Sequence, residues 1–267
     1  MHAQSSIALR SASRMPVLGL GTWDLTHRTA QTVTRALQLG YRLIDTACDY
    51  GSQPGIGEAI RSGIVDRSSI YLVAKVEETD DAYEATRKYL SDIGVDFADL
   101  MLIHRPPEQG VGEELWRGLM RARREGLTKD IGVSNYDVEQ IERLSEIVGE
   151  QPVVNQIEWT PFGHSEHMLD FCRKNGIVIQ AYSPLTRAER LQEPAVKEIA
   201  AQHGKTAAQV LIRWNLQLGT VPLPKANRLD HLEENFDVFD FELSEEDMSR
   251  LNELNESYSA LGSLPYI

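Results

Sequence analysis

The 267-residue chain has only two cysteines, too few for a disulfide framework. Cys48 and Cys172 therefore read as reduced thiols. Long apolar runs are also missing, and none reaches the length needed to span a membrane. The opening MHAQSSIALRSASRMPV has no apolar stretch ahead of a small-residue cleavage site, so no signal peptide is expected and a cytoplasmic location is. Positive charge is scarce: 27 Lys and Arg stand against 40 Asp and Glu, for a net charge of −13. That balance excludes general affinity for nucleic acid or an anionic membrane, while leaving room for one local basic pocket. The seven histidines show no metal-ligand spacing, and His164 and His167 are too isolated to suggest zinc, so no metal is expected. There is no low-complexity stretch or linker, so residues 1–267 are expected to form one domain.

What the chain does have is alternation. The composition is 42% hydrophobic, ample for a sizeable core. Short apolar runs at residues 18–20, 43–44, 71–74, 100–103, 131–133, 153–156, 178–181 and 221–223 read as strands. Helix-like spacing lies between them. Val33, Ala36, Leu37 and Leu39 fall near one face of one segment, and Ile141, Leu144 and Ile147 do the same in another. Gly40, Gly94, Gly126 and Gly176 close helical runs, where a left-handed residue is often required. Strand–helix alternation implies parallel strands joined by crossovers, and eight of them fit an α/β (β/α)8 TIM barrel. Two additions depart from the bare repeat. The opening segment IALRSASRMPV suggests an N-terminal β-hairpin plugging one end of the barrel. Residues 193–217 hold two helices, with Thr206 as N-cap of the second.

Four residues stand out at the ends of consecutive strand-like runs. Asp45 and Tyr50 lie in LIDTACDYG, Lys75 in IYLVAKVE, and His104 in DLMLIHRPP. A carboxylate, a phenol, an ammonium and an imidazole, if gathered in one place, can protonate a carbonyl oxygen. Taken singly, each has an ordinary role: a Tyr after a strand packs, a Lys is solvated, an Asp caps a turn. Their ordered appearance is the signal.

With the strand ends placed, the chain resembles the aldo-keto reductase family along nearly its whole length. The matching segments are MPVLGLGTW, GYRLIDTACDYG, YLVAKV, DLMLIHRPP, GVSNY, VVNQIEW, QAYSPL and VPLPKANRLDHLEENFDVFDFELSEED. The last looks most like members that reduce small aldehydes, ketones or keto sugars, of the 2,5-diketo-D-gluconate reductase kind. The resemblance implies a TIM barrel using NADPH without a metal, a small-molecule carbonyl substrate and a monomer. It also assigns the chemistry. The nicotinamide supplies a hydride, and Tyr50 supplies the proton. A phenol near its ordinary value of about 10 exchanges protons poorly at neutrality, and Lys75 is expected to lower it. Asp45 would keep Lys75 charged. His104 would orient and polarise the carbonyl together with Tyr50.

The cofactor residues follow from the same resemblance. Ser134, Asn135 and Gln156 match positions that bond the nicotinamide carboxamide, and Tyr182 matches the ring that stacks on the nicotinamide. Asn135 also reads as a cap for the following helix. Ser183, Leu185 and Thr186 fall where backbone amides embrace the pyrophosphate, in a loop (186–191) that is short here. Lys225, Asn227, Arg228, His231, Glu234 and Asn235 occupy the adenosine segment. Ala226 replaces a frequent hydroxyl residue, and His231 replaces an Arg that faces the 2′-phosphate or adenine. A neutral His holds phosphate less firmly than a permanent guanidinium, so NADPH is expected with some tolerance of NADH.

Trp23, Tyr50, His104 and Arg105 are expected to face the substrate, with part of the tail 261–267 closing over them. Arg105 replaces a Trp common in the family, which favours anionic or highly hydroxylated substrates if its planar fork points inward. Otherwise it pairs with a surface carboxylate. Two other functions remain open at this point: a cofactor-binding regulatory subunit on the same barrel, and a lyase using Lys75 as a Schiff-base nucleophile.

Overall fold

Eight short parallel strands carry the molecule, each backed by a helix. The computed structural model describes residues 2–25 and 28–267. An antiparallel hairpin comes first, β1 (Ser6–Ala8) and β2 (Arg14–Pro16). The parallel strands follow: β3 (Gly19–Gly21), β4 (Leu43–Asp45), β5 (Tyr71–Val76), β6 (Ala98–Ile103), β7 (Thr128–Ser134), β8 (Val154–Glu158), β9 (Val178–Tyr182) and β10 (Val221–Leu223). Each pairs with the next in sequence. The ring closes where the Gly21 N–H donates to the Pro224 carbonyl at 3.2 Å. A Cβ on Gly21 would stand 2.7 Å from the Leu223 carbonyl oxygen, so this seam admits only glycine. The expected (β/α)8 TIM barrel with its N-terminal hairpin is what the chain forms.

The crossovers are α1 (Thr29–Leu39), α2 (Gln53–Arg61), α3 (Ala82–Ile93), α4 (Glu113–Arg124), α5 (Val138–Val148) and α6 (Glu166–Asn175). The pair α7 (Pro194–His203) and α8 (Ala207–Leu218) lies between β9 and β10, as the sequence indicates. Thr206 caps α8 in a reciprocal box with Gln209. The helices α9 (Leu229–Phe236) and α10 (Glu245–Asn252) complete the chain. Gly40, Gly94, Gly126 and Gly176 all adopt positive φ where helices end. One helix face differs from expectation. Ile141 and Leu144 of α5 are buried, but Ile147 is 44% exposed. Two successive three-residue steps lag the helical turn, leaving Ile147 about 120° from Ile141, while the next residue returns to within about 20°. Val148 duly packs against the core instead. Among the described residues, no helix is long and apolar enough to cross a membrane.

The period of two along a strand positions the site. Leu43 and Asp45 share the inward face of β4. Tyr71, Val73 and Lys75 share that of β5, and Leu100, Leu102 and His104 that of β6 and the residue beyond it. The N-terminal members of these rows, with Val154, Val178 and Val221, form the apolar barrel interior around Met15 of the hairpin. The C-terminal members are polar. Apolar filler at one end and titratable groups at the other thus come from one alternation, and Met15, fully buried, plugs the lower end.

Candidate active site

The four residues singled out in the sequence meet at the C-terminal end of the barrel. Lys75 Nζ lies 2.8 Å from Asp45 Oδ1, 2.9 Å from the Thr46 carbonyl and 3.5 Å from the Tyr50 hydroxyl. The rings of Tyr50 and His104 stand edge to face with centroids 6.0 Å apart. Asp45, Lys75 and His104 are buried. Burial works against the Lys75 ammonium, but Asp45 and Tyr50 outweigh it and hold the amine above its usual range. Tyr50 departs from expectation. Burial raises its phenol above the ordinary value, and the pull of Lys75 offsets this only in part. Burial, then the Lys75 charge, press His104 down to about 4, so its imidazole is neutral at pH 7.

Several partners were not apparent in the sequence. Gln156 donates to Asp45 Oδ1 and to Gln180 Oε1, each at 2.8 Å, so its amide reaches into the barrel axis. Glu77 Oε1 lies 2.8 Å from His104 Nδ1. Glu77 sits two residues after Lys75, so strand alternation places both on one face, and that was the available signal. Cys48 Sγ donates to the Lys75 carbonyl at 3.0 Å, and burial pushes its thiol up to about 12, which suits packing and not redox chemistry.

The expected carboxamide residues are also adjacent. Ser134 Oγ donates to the Gln156 carbonyl at 2.7 Å. Asn135, held at φ 64, donates from Nδ2 to the His104 carbonyl and to Ser134 Oγ. Tyr182 donates its hydroxyl to Asn135 Oδ1 at 2.7 Å, which fixes its ring. Asn135 is not the cap of α5; Asp137 is, in a box with Gln140. In the loop after β9, Ser183 and the consecutive Thr186, Arg187 and Ala188 all have positive φ, and Leu185 packs on the core.

The adenosine segment is mixed. Asn227, Arg228 and His231 are exposed at the start of α9. Arg228 is paired with Asp230 at 2.5 Å, a partner absent from the sequence reading. Lys225 pairs with Asp24 at 3.2 Å. Glu234 accepts from the Thr206 hydroxyl at 2.5 Å, and Asn235 is buried. On the expected substrate side, Trp23 is half exposed, with the Arg187 guanidinium 4.5 Å and the Lys225 ammonium 5.5 Å from its indole. The structure thus groups Trp23 with the basic side chains after β9 and β10. Arg105 is exposed, and among the described residues it makes no ion pair; its charge acts on Glu77, His104 and Tyr182. The tail is fastened to the end of β8: Ser259 and Ala260 bond the Glu158 carboxylate at 2.6 and 2.8 Å, and the Tyr266 hydroxyl bonds its carbonyl. A surface hollow lined by Arg10, Glu142, Glu146 and Gln151 lies at the other end of the barrel, away from this chemistry.

The barrel fold and the sequence agree with comparisons to known proteins. Residues 17–256 match the aldo/keto reductase family. The chain belongs to that family. An aldo-keto reductase of Mycobacterium sp. (strain JLS) is 40% identical over 265 residues, spanning 97% of this chain and 96% of that one. Among solved structures, an aldo-keto reductase from a Medee basin deep-sea metagenome library superposes with a TM-score of 0.92 at 34% identity, covering 98% of this chain and 99% of that one. The Bombyx mori aldo-keto reductase in complex with NADP gives 0.89 at 30% identity, covering 96% and 94%. This aldo-keto reductase is accordingly an oxidoreductase enzyme acting on small carbonyl compounds.

Proposed function

We propose that the enzyme reduces small aldehydes and ketones to alcohols with NADPH, and that Tyr50 delivers the proton. The observation that carries this reading is the placement of Lys75 Nζ between the Asp45 carboxylate, at 2.8 Å, and the Tyr50 hydroxyl, at 3.5 Å. Lys75 stabilises the tyrosinate that forms as the proton leaves, and Asp45 keeps Lys75 charged. The neutral His104, beside Tyr50, orients the carbonyl oxygen.

The donor set fits a nicotinamide dinucleotide. Tyr182 offers a fixed aromatic face, and Ser134, Asn135 and Gln156 offer hydroxyl and amide groups beside it. When bound, that cofactor supplies the hydride. Lys225 and Arg228 offer the charge for phosphate, with Asn227, His231, Glu234 and Asn235 around them and the backbone of Ser183, Leu185 and Thr186 at the pyrophosphate. Both basic groups already hold carboxylates, Asp24 and Asp230, which supports a preference for NADPH that leaves NADH usable. Exposed Arg105, with no competing partner among the described residues, supports an anionic or polyhydroxylated substrate.

A Schiff-base lyase is disfavoured because Lys75 is bonded by three oxygens and held protonated. A regulatory subunit has no need of the four groups in contact. A screen of NADPH oxidation across dicarbonyls, aromatic aldehydes, keto-sugar acids and quinones, repeated with NADH, tests the reading. Turnover by Tyr50→Phe at the parental rate would overturn it.

A further inference from the structure

His104 is buried, which with the Lys75 charge keeps its imidazole neutral, and its Nδ1 rests 2.8 Å from Glu77 Oε1. A neutral imidazole carries one ring proton, so the partner at Nδ1 decides what Nε2 can offer. An ionised Glu77 accepts from Nδ1–H and leaves a lone pair on Nε2. A protonated Glu77 donates to Nδ1 and keeps the ring proton on Nε2. Only the second arrangement gives a carbonyl oxygen a hydrogen bond; the first can accept from the hydroxyl of an alcohol. We propose that Glu77 is a positioning residue sharing one proton with His104, so that its ionisation sets Nε2 as donor toward a carbonyl or acceptor toward an alcohol. This rests on the reading that His104 faces the carbonyl, and deepens it by adding a control of direction.

The surroundings favour such a switch. Asp45 faces the pair from β4, Asp49 and Tyr50 from the loop after it, Lys75 from β5, Glu78 and Asp80 from the loop after β5, and Arg105 from the loop after β6. One polar atom each of Asp49, Glu77 and His104 lies within 4.8 Å of the others. Burial, then Asp49 and Glu78, push the Glu77 carboxyl up to about 7, against the opposing charge of Arg105. Burial, then the Lys75 charge, keep the imidazole from taking that proton. The exchange balances simply. As Glu77 loses its proton, one proton leaves to solvent from the partly exposed carboxyl, and the ring proton moves from Nε2 to Nδ1.

The test is nitrogen-15 NMR of the histidine rings in the NADP-saturated enzyme, with the His104 signals assigned by their loss in His104→Gln. The ring proton is expected on Nε2 at about pH 6 and on Nδ1 at about pH 9, and Glu77→Gln is expected to abolish the exchange. In parallel, kcat/KM for reduction should fall roughly 100-fold between those pH values in the parent and less than about threefold in Glu77→Gln. Glu77→Asp should restore the exchange at a shifted midpoint. One tautomer throughout the range, or an alkaline limb that survives in Glu77→Gln, overturns the proposal. The two readings fail separately. A tautomer exchange with a fully active Tyr50→Phe removes the catalytic role of Tyr50 alone, and a fixed tautomer with an inactive Tyr50→Phe removes the switch alone.

Discussion

Gln156 donates its side-chain amide to Asp45 Oδ1 at 2.8 Å, on the same oxygen that Lys75 Nζ holds at 2.8 Å. The buried carboxylate is therefore gripped by a cation and a neutral donor at once. Asp45→Asn should cost about 3 kcal/mol of stability in urea unfolding, because it strands a buried ammonium, and should abolish carbonyl reduction. Asp45→Asn combined with Lys75→Met should recover most of the stability and none of the activity. A double variant no more stable than Asp45→Asn would contradict this account of the pair.

The alkaline behaviour of Tyr50 follows from opposing effects. Burial raises the phenol and Lys75 pulls it back. The tyrosinate signal lost in Tyr50→Phe should therefore appear above the ordinary value of about 10, and Lys75→Met should move it higher still. Both Tyr50 and Lys75 hold protons more firmly in the folded state than in the unfolded one. Their stabilisation is full below the unfolded values and lost as pH rises through the folded ones. Ultraviolet titration alongside alkaline unfolding checks both signs.

Asp230 competes with a dinucleotide phosphate for Arg228. Because the pair is exposed, its removal should barely change stability. Asp230→Ala should shift the NADPH-to-NADH ratio of kcat/KM about two- to fivefold toward NADPH, the scale of one surface charge. His231→Arg should shift it the same way by adding a fixed charge. Unchanged ratios in both variants would remove the 2′-phosphate from this patch.

Arg105→Leu should lower kcat/KM for keto acids by roughly tenfold or more, the weight of a charge-assisted hydrogen bond, with far less effect on neutral aldehydes. Equal losses on both would show that Arg105 acts on the site without touching the substrate.

The barrel was legible in the sequence because each parallel strand, covered on both faces, is a near-continuous apolar run, as in YLVAKV of β5. The grouping of Asp45, Tyr50, Lys75 and His104 was legible because inward-facing positions turn polar at the strand ends. What escaped were side chains whose partners lie far along the chain. Gln156 and Asp45 are 111 residues apart, and nothing local marks their contact. The cation contacts of Trp23 escaped for the same reason, since its neighbours Arg187 and Lys225 come from the last third of the sequence. The net direction of the Tyr50 shift was missed because depth of burial, not the nearby cation, decides it.

Met15 should be costly to truncate: Met15→Ala is expected to lose about 2–5 kcal/mol in urea unfolding, as for other buried large-to-small changes. It also accepts a hydrogen bond on Sδ from Gln180 Nε2 at 3.0 Å. From there the contacts run without a gap through Gln156, Asp45 and Lys75 to the hydroxyl of Tyr50. A spine of six side chains thus threads the barrel lengthwise. A fusion partner or deletion ahead of β3 therefore bears on the Tyr50 hydroxyl from the opposite mouth of the barrel, through this column.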